Sequence, residues 1–256
     1  MGPVRSELMW QAVVDAVTAV SGDGPLDVLD LGGGTGGDAV RLAQLGHRVT
    51  VVDPSPDALA SLHRRGADAG LEQPVVGIQG DAADLLDHVS SASFDLVVCH
   101  GVLEHVDDPG QALATVATVL RQGGYVSVMV AGRNAAVAAR ALAGDFGTAQ
   151  DLLGRSAQTW DLREMGPRRF VVDEVEQLLS QHGFTAIESS GIRVFADLVP
   201  SAIVDTEPGS RAALYELERL LRRSEDFTAL SAGLHTIARL DLSSAPPDPG
   251  GKSATL

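Results

Sequence analysis

From residue 26 onward, short apolar runs alternate with amphipathic stretches. That alternation reads as strand and helix in turn, and so as an α/β chain with helices on both faces of a doubly wound, mostly parallel sheet. The runs Leu26 to Leu31, Arg48 to Val52, Pro74 to Gln79, Phe94 to Cys99 and Gly124 to Val130 are the predicted strands. Between them, helices are expected over Gly37 to Leu45, Pro56 to Arg65 and Gln111 to Leu120, the last with apolar residues at 113, 116, 117 and 120 on one face. Ser6 to Val20 is a further helical stretch, placed ahead of the first strand to close over one end of the sheet.

Beyond the fifth strand the pattern changes. Arg133 to Ala143 is Ala-rich and helical, and residues 144–167 then lose periodicity while collecting Phe146, Trp160 and several charges, as an inserted lid or substrate segment would. Asp173 to His182 reads as a helix stopped by Gly183. Phe184 to Val194 and Leu234 to Leu240 read as two last strands around a helix from Pro208 to Arg223, so the sheet is expected to end in an antiparallel C-terminal pair. Residues 1–242 then form one domain, and the Pro- and Gly-rich stretch 243–256 is an expected disordered tail.

Charge and composition narrow the function. With 19 basic and 34 acidic residues the chain carries −15, which argues against a broad basic face for DNA or RNA. Any polyanion must meet a local patch. The single cysteine, Cys99, excludes an intrachain disulfide and a Cys-rich zinc site, and no metal is expected. Arg5, Glu7 and Asp15 interrupt the first apolar stretch, and no apolar run approaches the ~20 residues of a membrane span. The expected compartment is the cytoplasm.

The chemistry-bearing stretch is Val28-Leu29-Asp30-Leu31-Gly32-Gly33-Gly34-Thr35-Gly36-Gly37, a strand running into glycines and then a helix. Glycines there let the backbone approach a ligand and aim the helix N-terminus at it. Gly32, Gly34 and Gly37 also satisfy a dinucleotide fingerprint, which keeps a nicotinamide-dependent oxidoreductase open, and Asp53 after the second strand would grip a ribose in either case. Asp30 separates the two. A carboxylate two residues before the first glycine suits a cationic amino-acid ligand and sits badly beside a pyrophosphate, favouring S-adenosylmethionine. Gly80-Asp81-Ala82-Ala83 follows the third strand, where an acid and small residues would border an adenine.

Further on come His100-Gly101-Val102-Leu103-Glu104-His105-Val106, Asp108-Pro109 and Leu120-Arg121-Gln122-Gly123-Gly124. In this order the set resembles the class I S-adenosylmethionine-dependent methyltransferases over Asp27 to Ala131. That resemblance implies a Rossmann-like sheet of about seven strands with the cofactor at the strands' carboxyl ends. Gly191-Ile192-Arg193-Val194-Phe195-Ala196-Asp197, Ala143-Gly144-Asp145-Phe146 and Arg5 before an apolar helix extend the likeness to the tRNA 5-carboxymethoxyuridine methyltransferases, which esterify the carboxylate of a modified wobble uridine. The resemblance implies cofactor contacts from Arg5, Gly32, Gly33, Asp53, Ala82 and His100, beside Asp30, Gly34 and Asp81 from the reading above, and a substrate-carboxylate clamp at Arg193.

The chain departs from that family at His105, where an aromatic residue is usual, and in its insert, where Arg155, Arg163, Arg168 and Arg169 stand in place of a more lysine-rich loop. Arg168 and Arg169 read either as a solvated pair or as contacts to an RNA backbone. Glu104 and His105, in a helix-start segment, read as locally packed residues rather than as an acid/base pair. Methylation of a small acidic metabolite on the same scaffold is the alternative reading. A cofactor-binding regulator without catalysis is a third.

Overall fold

The computed structural model describes residues 2–20 and 24–241. Seven strands, β1 (Asp27–Leu31), β2 (Arg48–Asp53), β3 (Val76–Gln79), β4 (Phe94–His100), β5 (Leu120–Ala131), β6 (Phe184–Ile192) and β7 (Gly233–Leu240), form one sheet in the order β3-β2-β1-β4-β5-β7-β6. The first five pair in parallel, and β7 pairs antiparallel with both β5 and β6. Because β6 is antiparallel to β7, it runs in the same sense as β5. Its carboxyl end therefore returns to the edge where β1 to β5 end.

The crossovers between the parallel strands are α2 (Gly37–Gln44), α3 (Pro56–Asp68), a short α4 (Leu85–His88) and α5 (Pro109–Val119). Local chemistry sets their starts. Ser55 accepts from the Ala58 N–H ahead of Pro56, and Asp108 accepts from the N–H groups of Gly110 and Gln111 ahead of Pro109. The central strands are buried on both faces, one core holding Leu31, Val97, Leu113, Val128 and Phe170 and the other Val28, Val51, Leu62, Leu96 and Val98.

Ahead of β1, α1 (Gly2–Val20) covers part of the sheet. Its Leu8 and Ala12 pack with Met129 and Ile192, and its Asp15 pairs with Arg222 from the C-terminal half at 2.7 Å.

The segment read as aperiodic, 144–167, contains two helices, α7 (Phe146–Leu153) and α8 (Leu162–Met165), after α6 (Arg133–Leu142). Each starts on an aspartate: Asp145 accepts from the Thr148 N–H, and Asp161 from those of Arg163 and Glu164. Trp160 is buried and donates from Nε1 to the Gly166 carbonyl at 3.0 Å. Then come α9 (Val172–Gln181), α10 (Ser201–Thr206), α11 (Ser210–Leu221) and α12 (Glu225–Thr228). The proposed tail, 243–256, lies outside the described residues.

Two arginine readings change. Arg168 is neither solvated nor free for RNA: it is buried, and its guanidinium donates to the carbonyls of Ala157, Leu103, Val106 and Asp107 at 2.8 to 3.3 Å. It ties the insert to the loop after β4. Arg168→Met is expected to cost about 2 kcal/mol, since buried carbonyls then lose their donors, and to lower the melting temperature by roughly 5 °C. A thermal melt within a degree of the parent protein overturns this.

Arg193 is the second. The strand expected to reach Val194 ends at Ile192, and Arg193 turns out of it in the left-handed region with φ of 62°. Glu218 of α11 holds this turn. Its buried carboxylate accepts from the N–H groups of Val194, Phe195 and Ala196 at 2.7 to 2.8 Å, so the backbone cannot continue along the sheet.

Candidate functional site

At the carboxyl edge, between β1 and β4 where the strand order reverses, two clefts meet at Gly32. Such a crevice is the usual ligand position in open α/β sheets. The larger, about 610 Å³, is bordered by Asp53, Pro54, Asp81, Ala82, Val102 and His105. The second, about 510 Å³, is bordered by Ser6 and Met9 of α1, Asp30, Gly33, Asp38 and His100.

The glycine loop between β1 and α2 is the shared wall. Gly32 has φ of 72° and a Cβ there would lie 2.6 Å from Val102 Cγ2, so the position takes only glycine. At Gly33 a Cβ would collide with Asp30 Oδ2, which shows how closely that carboxyl lies under the loop. Asp53 fastens the other side: Oδ2 accepts from the Gly34 N–H and Oδ1 from the Ser55 N–H, each at 2.9 Å. With two carboxylate oxygens and one partner on each, Asp53 retains acceptor capacity toward the cleft.

Asp30 is buried at the end of β1. Burial, then the charges of Asp38 and Asp53, push its carboxyl up from the ordinary 3.8 to about 7. A cation placed beside it would favour its ionised form. Asp81 is exposed and accepts from the Ala83 N–H at 2.7 Å, while Ala82 is buried against the core below the larger cleft.

His100, the last residue of β4, is half-buried, and Nε2 contacts Ser127 Oγ at 2.8 Å. Burial pulls its imidazole down to about 3, so the ring is neutral. Arg5 lies in α1, but its side chain is outside the described residues. Glu104 folds inward: Oε1 accepts from the Ala131 N–H at 2.8 Å, Oε2 is buried without a hydrogen-bond partner, and burial raises its carboxyl.

Eight of the ten residues expected in the site line these clefts or the loop between them, and the side chain of Arg5 lies outside the described residues. Arg193 stands apart. It is at the same edge of the sheet, but three strand spacings from β4, roughly 14 Å, and is not among the residues lining either cleft. Its Nη1 is 3.3 Å from Asp197 Oδ2, and its Nε is buried without a hydrogen-bond partner. Sequence reasoning missed Ser6, Met9 and Asp38 as cleft residues, although the amphipathic helix before β1 and the acid in the first turn of α2 were there to be read. It also missed Ser127, His235 and Glu218, whose partners are far away in the chain.

Among the described residues no helix is long and apolar enough to cross a membrane. A methyltransferase-domain family profile matches residues 29–128. The chain is 30% identical to the tRNA 5-carboxymethoxyuridine methyltransferase of Escherichia coli strain K12 over 238 residues, 93% of this chain and 88% of that one. The fold matches the Burkholderia thailandensis 1,6-didemethyltoxoflavin-N1-methyltransferase with bound S-adenosylhomocysteine, with a TM-score of 0.55, 21% identity, and coverage of 91% of this chain and 78% of that one. It also matches the magnesium protoporphyrin IX methyltransferase of Synechocystis PCC 6803, likewise with bound S-adenosylhomocysteine, with a TM-score of 0.61, 14% identity, and coverage of 93% and 84%. The reversed strand order, the glycine loop over Asp30, the acid ending β2 and the match along nearly the whole chain agree: this is an S-adenosylmethionine-dependent class I methyltransferase, and it belongs to the family of the tRNA 5-carboxymethoxyuridine methyltransferases.

Proposed function

We propose that the enzyme forms the methyl ester of 5-carboxymethoxyuridine in tRNA, in the cytoplasm. The observation that carries this reading is the reach of the similarity. It covers 93% of the chain, including the insert and the 191–197 turn, and not only the 29–128 methyltransferase core.

The residues of the clefts fit the cofactor. Asp30 would pair with its ammonium, Asp53 would accept from its ribose hydroxyls, Asp81 and Ala82 would border its adenine, and Gly32, Gly33 and Gly34 would let it lie against the backbone. Arg5 and His100 would face its carboxylate. When bound, S-adenosylmethionine supplies a methyl group activated by a sulfonium. The acceptor needs no base, because an aliphatic carboxylic acid with a pKa near 4 is ionised at neutral pH. What remains for the chain is to orient that carboxylate, through Arg193 released from Asp197, and to exclude water.

Nucleoside mass spectrometry of tRNA from cells lacking the gene tests the reading, which requires loss of the methyl-ester nucleoside and its return when the gene is restored. Methyl transfer that persists after ribonuclease treatment of a cell extract would instead point to a small acidic metabolite.

Asp30 gives the site a pH dependence. Since the ammonium stabilises its ionised form, binding at acidic pH must release the proton. Affinity for S-adenosylhomocysteine is therefore expected to rise up to about 10-fold from pH 6 to 8 and to level off above about 7, the free carboxyl's value. The free protein behaves in the opposite sense. A folded-state value raised above the unfolded one gives stability that is complete below pH 4 and is lost as pH rises through about 7. The ligand-induced gain in melting temperature should thus be larger at pH 8 than at pH 6, and Asp30→Asn should remove the difference. A flat calorimetric profile for the wild type overturns the assignment.

A further inference from the structure

His100 does not stand alone beneath the cleft. Its Nε2 meets Ser127 Oγ of β5 at 2.8 Å, the same oxygen meets Nε2 of His235 on β7 at 2.8 Å, and Nδ1 of His235 reaches Ser190 Oγ of β6 at 3.5 Å. The register explains why these four side chains share a face. Met129 pairs with both His100 and His235, Ser127 is two residues before it, and Ser190 pairs with His235. The two rings stand edge to face, 5.6 Å between centroids. Ser127, His235 and Ser190 are essentially inaccessible, so water cannot complete their hydrogen bonds. Burial keeps both imidazoles neutral.

Proton accounting then leaves two arrangements. Ser127 has one hydroxyl proton, so both rings cannot accept from it, and if both donated, that proton would have no acceptor among the described residues; one ring therefore donates to Ser127 and the other accepts from it. If His100 is the donor, His235 carries its proton on Nδ1 and donates to Ser190. Among the described residues His235 is the only hydrogen-bond partner of the Ser190 hydroxyl, whose own proton would then be stranded in the interior. If His235 donates, every buried proton is used: Ser190 to His235 Nδ1, His235 Nε2 to Ser127, Ser127 to His100 Nε2. His100 must then carry its proton on Nδ1, the one ring nitrogen left to face a ligand.

We infer that His235 is a positioning residue which, through Ser127, fixes His100 as the Nδ1–H tautomer and so presents a neutral N–H donor to the carboxylate at the methionine end of the cofactor. This rests on the proposed placement of that carboxylate over His100. A neutral donor suits a site that also holds the buried Asp30, because it binds the anion without adding a charge that would compete for the acid.

The test compares S-adenosylmethionine with its decarboxylated form by calorimetry. His235→Leu is expected to weaken the first about 5- to 10-fold and the second less than 2-fold, whereas His235→Gln, whose amide donates from a matching reach, should stay within about 2-fold of wild type for both. Long-range proton–nitrogen NMR of the wild-type S-adenosylhomocysteine complex should find the His100 proton on Nδ1, and His235→Leu should shift it toward Nε2. A wild-type complex protonated on Nε2, or equal losses for the two ligands, overturns the inference, and the wild-type spectrum decides even where His235→Leu does not fold. His100→Leu separates the two layers. If it also fails to discriminate between the ligands, the carboxylate is not over His100; if it discriminates and His235→Leu does not, only the relay falls.

Discussion

Arg193→Ala should lower kcat/KM for tRNA by about two to three orders of magnitude, or ~3 to 4 kcal/mol, while cofactor affinity stays within about 2-fold. The separation follows from its position: it shares the carboxyl edge with the clefts but lines neither of them. A guanidinium that receives the acceptor's carboxylate contributes both binding and alignment, and Arg193→Lys restores only part of this because an ammonium lacks the planar fork. Asp197→Asn should act in the opposite direction on KM, since it removes the acid that holds Nη1 at 3.3 Å. Steady-state kinetics at subsaturating tRNA decides. Near-wild-type turnover by the alanine variant would show that the acceptor is oriented by another group.

Asp53→Ala is expected to weaken S-adenosylmethionine binding by about 10- to 100-fold, because charge-assisted hydrogen bonds to two ribose hydroxyls contribute ~1.5 to 3 kcal/mol each and are partly replaced by water. The melting temperature should fall as well, by a few degrees, since the same carboxylate holds the Gly34 and Ser55 N–H groups. Asp53→Asn, which retains one acceptor oxygen, should lie between. A folded alanine variant with unchanged cofactor affinity would mean that the ribose is held elsewhere.

The contrast between these two residues shows what a sequence can carry. Asp53's place in the cleft was legible because it depends on local order, an acid ending the second strand just after a glycine loop, and all seven strands fall within a few residues of their apolar runs. The glycine turn before β5 was read as a boundary, yet the strand begins at Leu120, because backbone pairing with Phe94 resumes past a register shift and a glycine at φ of 74°. Asp145 and Asp161 were helix-cap signals in a segment read as aperiodic; the helices they start are too short to show a period. The turn at Arg193 could not be read. Its departure from the strand is imposed by Glu218, which stands 25 residues later, and Arg168 reaches partners about 60 residues back. Hydrogen bonds at such separations leave no periodic trace in the chain.

The sheet order has a consequence for synthesis. Among the described strands β7 is the last to leave the ribosome, yet it lies between β5 and β6 and is the partner of both. Until it emerges, the growing chain exposes the full apolar length of β5 as an open edge, able to pair with any other extended segment. β6, already made, has no strand of its own to join. Chains that terminate before Gly233 should therefore aggregate and not accumulate as trimmed enzymes, although they contain every residue that lines the two clefts.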